Sequence, residues 1–424
     1  MSQPVRPASY TMSIVIIGML FFIFGFVTWI NGTLIPYLKI ACQLESDFQS
    51  YLVVTAFFIA YTVMAIPSSY VLTKTGYKKG MAIGLFIMAL GAIVFVPAAS
   101  TRNYNLFLVG LFIIGTGLAL LQTASNPYAT IIGPRESAAM RISIMGICNK
   151  VAGIIAGLVF GYIALSDADA LEKSLKTMDA VAREAALSEL AGRVIIPYII
   201  IAGVLVLTSI AVMRSSLPDI KDDGGEQETG SEVSKTSIFQ FPHLLLGVLA
   251  LFLYVGVEVL AGDTIISYGK SLGIKLSTAR FFTLSTLICM LFGYSFGIIA
   301  IPRFLSQANA LKFCAVLGVV FTVLAVVTDS YVSVGFIALL GLANSLMWPA
   351  IFPLAIDGLG KFTKIGSALL IMSLAGGAIL PLLYGKLSEV FNSQQAYWIM
   401  VPCYLYILYF SMKGYRVGKS NVIV

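Results

Sequence analysis

Apolar residues gather into twelve long runs separated by short polar breaks: roughly 12–38, 50–73, 80–100, 104–130, 141–164, 195–215, 243–268, 278–301, 308–328, 331–358, 363–387 and 394–416. A bilayer-spanning helix needs about 20 mostly apolar residues, because in lipid its backbone polar groups must be satisfied within the segment. The runs meet that length and are called spans 1 to 12 below. The pattern predicts an all-α integral membrane protein. Span 1 follows a short tail without a small-residue cleavage site, so it reads as a retained helix rather than a signal peptide.

Composition agrees with the pattern. The 424 residues are 58% hydrophobic and only 11% charged, with a mean hydropathy of +0.93. Soluble domains carry about 25% charged residues, so a water-soluble enzyme, a disordered chain and a coiled coil are all excluded. A net charge of +7 would ordinarily raise nucleic acid as a partner. Here the basic residues sit between apolar runs, so the expected partner is the lipid bilayer and not nucleic acid. With the N-terminus placed inside, 16 Lys and Arg fall on inner segments and 9 on outer ones. That bias puts both termini in the cytoplasm; the location expected for a bacterial-looking chain is an inner (plasma) membrane. Five scattered cysteines and the single His243 give no disulfide framework or metal motif, and no cofactor is expected.

Two connections are longer than the rest. Residues 166–193, rich in Ala, Leu, Glu and Lys, read as a short amphipathic helix outside the membrane. The acidic, glycine-bearing stretch 215–242 reads as a flexible cytoplasmic linker. It divides the chain into a first bundle, 1–214, and a second, 243–424, of six spans each. The halves share features in the same order. Gly32 to Tyr37 in span 1 parallels Asp263 to Tyr268 in span 7, and Gly117-Leu118-Ala119 in span 4 parallels Gly341-Leu342-Ala343 in span 10. The expectation is a duplicated six-helix unit with a binding site between the copies.

Polar residues inside the spans carry the functional signal, since a charge at mid-membrane is costly unless it faces a partner or a wet cavity. Glu258 lies about 22 Å along span 7 at helical rise, with Asp263 further out; these are the candidate ion-coupling carboxylates. Lys150 in span 5 either snorkels to the surface, pairs with an intramembrane acid such as Glu258, or donates to a substrate. Asn31, Gln122, Asn126, Asn149, Asn344 and Trp348, together with Glu258, are the candidate substrate ligands. Amides and carboxylates that bond hydroxyls, plus an aromatic face for the C–H side of a ring, are what a hexose needs. Each amide has an alternative use in helix–helix hydrogen bonding. Asn126-Pro127-Tyr128 predicts a helix opened by proline.

The stretches Asn31 to Pro36 (NGTLIP), Gln122 to Tyr128 (QTASNPY), Tyr254 to Glu258 (YVGVE) and Pro349 to Gly366 (PAIFPLAIDGLGKFTKIG) resemble the fucose permease and glucose/galactose transporter branch of the major facilitator superfamily. The resemblance covers nearly the whole chain. It implies twelve transmembrane helices in two pseudo-symmetric bundles that work by alternating access around a central sugar site. Fucose permeases carry acids in spans 1 and 4 for proton coupling and substrate contact; here those positions are Gly32 and Gln122. The glutamate of YVGVE looks like that of the glucose/galactose members, some of which use sodium. The expected activity is therefore hexose (glucose, galactose or mannose) symport with sodium or a proton, by a monomer. The alternative is a hexose uniporter or exporter without ion coupling. An enzyme is not expected, because the spans show no nucleophile–base pair or metal cluster.

Overall fold

The computed structural model describes residues 7–132, 138–215, 217, 237–301, 304–359 and 362–419. The linker over 218–236 lies outside the described residues, as do Arg6, Arg135, Lys221, Lys235, Arg303 and Lys361 of the charge count. Within the described residues all regular structure is helical. Span 1 is α1 (Pro7–Trp29) followed by α2 (Asn31–Ala41), and spans 2 and 3 are both contained in α3 (Asp47–Ser100). Spans 4 and 5 are α4 (Tyr104–Ile131) and α5 (Ala138–Leu165). Two short helices follow, α6 (Ala168–Leu175) and α7 (Ala180–Gly192), where the sequence predicts one; span 6 is α8 (Ile195–Arg214).

The second bundle repeats the scheme. Span 7 is α9 (Pro242–Asp263) and α10 (Ile265–Ser271), span 8 is α11 (Leu276–Ala279) and α12 (Phe282–Ala300), and span 9 is α13 (Gln307–Val327). Span 10 is α14 (Ser330–Asn344) and α15 (Met347–Ile356); span 11 is α16 (Thr363–Met372) and α17 (Gly376–Val390), joined by a 3₁₀ turn. Span 12 is α18 (Met400–Met412), with a 3₁₀ turn before it and another after it. By length and hydropathy, ten segments qualify as membrane-crossing. Twelve passes are recovered because α3, 54 residues long, turns at Gly76 with φ 76°, a conformation that favours glycine. Span 12 falls short only because its first turn is 3₁₀.

The breaks are not where proline placed them. Helix α4 runs unbroken past Pro127, a correction to the expected opening. Side chains back-bond to the turn before the proline: Thr123 Oγ1 donates to the Ala119 carbonyl (2.7 Å) and Asn126 Nδ2 to the Gln122 carbonyl (3.0 Å). Spans 1, 7, 10 and 11 break instead, at Ile30, Thr264, Ser345–Leu346 and Ser373–Ala375. At the span 7 break three threonine hydroxyls serve three successive carbonyls: Thr264 bonds Leu260 (2.6 Å), Thr286 bonds Ala261 (3.2 Å) and Thr283 bonds Gly262 (2.7 Å).

Small residues set the helix spacing, as expected where lipid removes any hydrophobic drive between helices. A Cβ at Gly115 would lie 2.3 Å from the Phe57 carbonyl oxygen, and one at Gly341 would lie 2.1 Å from that of Thr286. Span 4 thus meets span 2 as span 10 meets span 8, while Gly117, which the internal repeat equates with Gly341, packs against Gly84 and Met88 of span 3.

The bundles are tied together on the face that carries α6 and α7. Asp169 accepts from the backbone N–H groups of Leu276 (2.8 Å) and Ser277 (2.9 Å), and Glu172 pairs with Lys270. Glu389 accepts from the Phe48 N–H (3.1 Å), Thr55 donates to the Ala378 carbonyl (2.8 Å), and Arg280 donates to that of Gly161 (3.2 Å). Burial pushes the Asp169 carboxyl up, but the Ser277 and Leu276 N–H donors outweigh it and hold the group below its ordinary value. The Asp169 contact is therefore present through neutral pH and is lost as pH falls through that lowered value.

Gly341→Val should lower the melting temperature of the purified protein, since overpacking costs about 1–3 kcal/mol. Gly203→Val, where a Cβ meets nothing within 4 Å, should leave it unchanged. Equal melting temperatures for both variants would show that the span 8–span 10 contact is slack.

Candidate functional site

A cavity of about 140 Å³ lies between the bundles. The first bundle lines it with Gln122 and Asn126 from span 4 and Asn149 and Lys150 from span 5. The second contributes Glu258 and Asp263 from span 7 and Trp348 from span 10. Span 1 adds Thr28 and Trp29 on the last turn of α1.

At the centre, Lys150 Nζ pairs with Glu258 Oε1 at 2.9 Å, with side chains 8% and 14% exposed. This joins α5 of one bundle to α9 of the other. Of the readings the sequence left open for Lys150, snorkelling to the surface is the one the structure does not adopt. The ammonium also lies 4.2 Å from the centre of the Trp29 ring, an arrangement worth about 0.5–2 kcal/mol depending on desolvation. Trp29 Nε1 in turn donates to Asn149 Oδ1 at 3.1 Å. Glycines make room: a Cβ at Gly153 or Gly262 would lie 2.6 or 2.5 Å from the indole, and one at Gly25 would lie 2.3 Å from the Asn149 carbonyl oxygen.

On the span 4 wall, Gln122 Nε2 bonds the Tyr61 hydroxyl at 2.7 Å, and Asn126 turns its Nδ2 back onto its own helix. Asp263 is 2% exposed. It receives the Gly32 N–H, while its Oδ1 has no partner within the protein. A Cβ at Gly32 would lie 3.2 Å from both Asp263 Cα and Oδ1. The two positions that the internal repeat equates therefore face each other, and the space that a side chain at 32 would need is taken by the carboxylate from span 7.

Two candidates fall outside the cavity lining. Asn344 is buried in the second bundle and accepts from the Tyr404 hydroxyl at 2.9 Å, the helix–helix use that amides in bundles commonly have. Asn31 is 1% exposed, and neither amide atom has a partner within the protein; as the first residue of α2 it stands just past the break rather than on the cavity wall. Lining residues that sequence reasoning did not select include six aromatics, Phe21, Phe24, Phe58, Tyr61, Tyr254 and Tyr294, beside apolar residues such as Ile142, Val255 and Val259. Tyr254 stands in the YVGVE stretch one helical turn before Glu258, and that i, i+4 spacing was the available signal.

A family model described as Major Facilitator Superfamily matches residues 17–381. A glucose/galactose transporter of Brucella abortus is 32% identical over 415 residues, covering 96% of this chain and 95% of that one. The L-fucose-proton symporter of Escherichia coli is 31% identical, covering 95% and 93%. Among solved structures, a major facilitator transporter, FucP, in the outward conformation superposes with a TM-score of 0.73 at 30% identity, covering 95% of this chain and 98% of that one. A bacterial homologue of the human lysosomal transporter Spinster, inward-facing and occupied, superposes with a TM-score of 0.63 at 17% identity over 99% and 97%, which speaks for the fold alone.

Lys150→Met should destabilise the protein strongly, because removing one partner of a buried pair costs about 3–5 kcal/mol, with cavity water reducing the figure. Adding Glu258→Gln to that variant should recover most of the loss. Thermal unfolding of the two single variants and the double variant checks this; additive losses would mean that the two side chains are not energetically coupled.

Proposed function

Because this chain belongs to the Major Facilitator Superfamily, we propose that it carries a hexose of the glucose, galactose or mannose type by alternating access, in symport with sodium or a proton. The observation that carries the reading is the make-up of the cavity between the bundles. Amides of spans 4 and 5, carboxylates of span 7 and the Trp348 ring of span 10 line one space, the set of groups that sugar hydroxyls and a sugar ring engage. The names of the relatives in Brucella abortus and Escherichia coli support the same substrate class. The lysine and arginine bias supports an inner-membrane orientation with both termini cytoplasmic. In that orientation the α6–α7 face is external, and the conformation described is the one tied shut on the outside.

Of the two carboxylates, Asp263 is the better coupling group. Glu258 is already neutralised by Lys150, whereas Asp263 keeps an unpartnered oxygen in the cavity wall. A carboxylate couples transport to a gradient only if its charge is balanced by the moving ion. The second reading, a uniporter or exporter with no ion movement, is favoured by the same Lys150–Glu258 pair, since an internal ammonium can do the neutralising throughout the cycle.

Uptake of labelled hexoses into vesicles, under an imposed sodium gradient and then a proton gradient, separates the two. Symport requires accumulation above equilibrium under one of them. Asp263→Asn should abolish that accumulation while sparing downhill exchange, and Glu258→Gln should chiefly weaken sugar affinity. Equal, non-accumulative uptake under both gradients would establish the uniporter instead.

Replacing Asp169 by Asn together with Lys270 by Ala should loosen the α6–α7 face. The expected result is faster alkylation, from that face, of a cysteine placed at Thr28 in a cysteine-free background. An unchanged labelling rate would show that packing alone keeps the face shut.

A further inference from the structure

The hydrogen bonds around the cavity have a sense as well as a position. An indole N–H can only donate, so the amide of Asn149 must present its carbonyl to Trp29. What Asn149 has left for a ligand is its NH2 group. Its neighbour Lys150 has donors only, one spent on Glu258. The span 5 wall is therefore a wall of donors.

The span 4 wall is mixed. Asn126 donates its Nδ2 to the Gln122 backbone carbonyl, which can only accept, so its side-chain carbonyl and one N–H remain for the cavity. The Gln122 amide bonds the Tyr61 hydroxyl, and a hydroxyl both donates and accepts, so Gln122 can turn either end to the cavity. Asn149 cannot rotate its amide without losing its bond to Trp29.

We propose that Trp29 is a positioning residue that fixes the polarity of the span 5 wall, so that the transported sugar must present hydrogen-bond acceptors toward span 5. This rests on the sugar reading above and adds to it a rule for which substituents the site takes. On the span 5 side a group that accepts but cannot donate, such as a fluorine, an ether or a carbonyl oxygen, replaces a hydroxyl. Opposite the Glu258 carboxylate, which only accepts, none of these does. Trp29 holds this arrangement from the end of α1, beside the Ile30 break. Its ring is packed with Leu287, Met290 and Tyr294 of the second bundle, so the donor wall is braced against the partner bundle rather than by span 5 alone.

The test uses the full-length protein purified in detergent and two series of hexoses, each with one hydroxyl replaced by hydrogen or by fluorine. Competition binding is measured for wild type, Trp29→Phe and Asn149→Ala. In wild type, at least one ring position should tolerate fluorine within about threefold while hydrogen costs about tenfold, the scale of one hydrogen bond. At another position fluorine and hydrogen should be equally damaging. Trp29→Phe keeps the ring under Lys150 but lets the Asn149 amide turn. The parent sugar should then weaken about three- to tenfold, and the fluorine-to-hydrogen difference should shrink to within about twofold at the first position, while at the second the two replacements stay equally damaging. Asn149→Ala should remove the same difference, and adding Trp29→Phe to it should change nothing more. A fluorine pattern identical in wild type and Trp29→Phe would overturn the proposal, because a purely structural tryptophan lowers affinity without changing which atoms are read.

If wild type binds no member of either series, the sugar reading fails, and a second arm needing no sugar still judges Trp29. In a variant whose only tryptophan is Trp29 (Trp348→Phe, Trp398→Phe), Lys150→Met should raise the emission by removing a quenching ammonium, and Lys386→Met should not. Equal emission from the two variants would refute the placing of Trp29 under Lys150.

Discussion

An ammonium and a carboxylate in the middle of a membrane protein cannot be left apart. Desolvating either one alone costs several kcal/mol, and each makes the other tolerable. Lys150 and Glu258 come from different bundles, so their bond at 2.9 Å constrains the whole molecule: wherever the halves move, these two must stay in reach or find substitutes. The surrounding groups serve that constraint. Trp29 covers the ammonium with its ring, and Gly153 and Gly262 let the indole approach both bundles. The Asn149 amide is oriented by the same indole. One contact thus sets the distance between the bundles, the place of the cavity and the direction in which its amides point.

The second feature that follows from duplication is the exchange of a carboxylate between halves. Gly32 and Asp263 are equated by the internal repeat, and they meet in space, with room for one side chain. An acid on span 1 and an acid on span 7 would occupy the same volume and repel. A glycine on span 1 and an acid on span 7 therefore go together, and one carboxylate stands at the junction of the two helix breaks.

Much of this was legible from residues alone. The twelve runs, the division into halves and the pairing of Gly32 with Asp263 follow from periodicity and repetition, which local sequence encodes. Five of the amides and acids chosen as site candidates, Gln122, Asn126, Asn149, Glu258 and Asp263, do line one cavity. The helix breaks were less legible. Pro127 looks like a breaker, yet α4 runs through it, whereas Ile30 breaks with no proline at hand; the signal for the Ser345–Leu346 break is Pro349, which has no N–H for the Ser345 carbonyl. Asn344 illustrates the other limit. An intramembrane asparagine reads the same whether it faces a ligand or a tyrosine, and only the position of Tyr404 on a distant span tells them apart.

The contacts that tie the bundles together differ in how readily water can replace them. On the α6–α7 face they are a capped helix end, part-exposed ion pairs and backbone N–H groups at a protein surface. Water can satisfy each of these groups, and part-exposed ion pairs are typically worth about 0–1 kcal/mol each. The Lys150–Glu258 pair is less readily replaced by water while the cavity is small and lined by aromatic rings. A motion that opens the α6–α7 face therefore trades weak contacts for hydration at little cost, provided that it turns about the central pair instead of pulling it apart. For the proposed alternating access, what matters is where the strong and weak contacts lie: the less hydrated pair stands at mid-membrane, and the contacts open to water stand at the rim. A ligand between span 4 and span 5 acts close to that pivot, so its hydrogen bonds bear directly on the groups that hold the halves together.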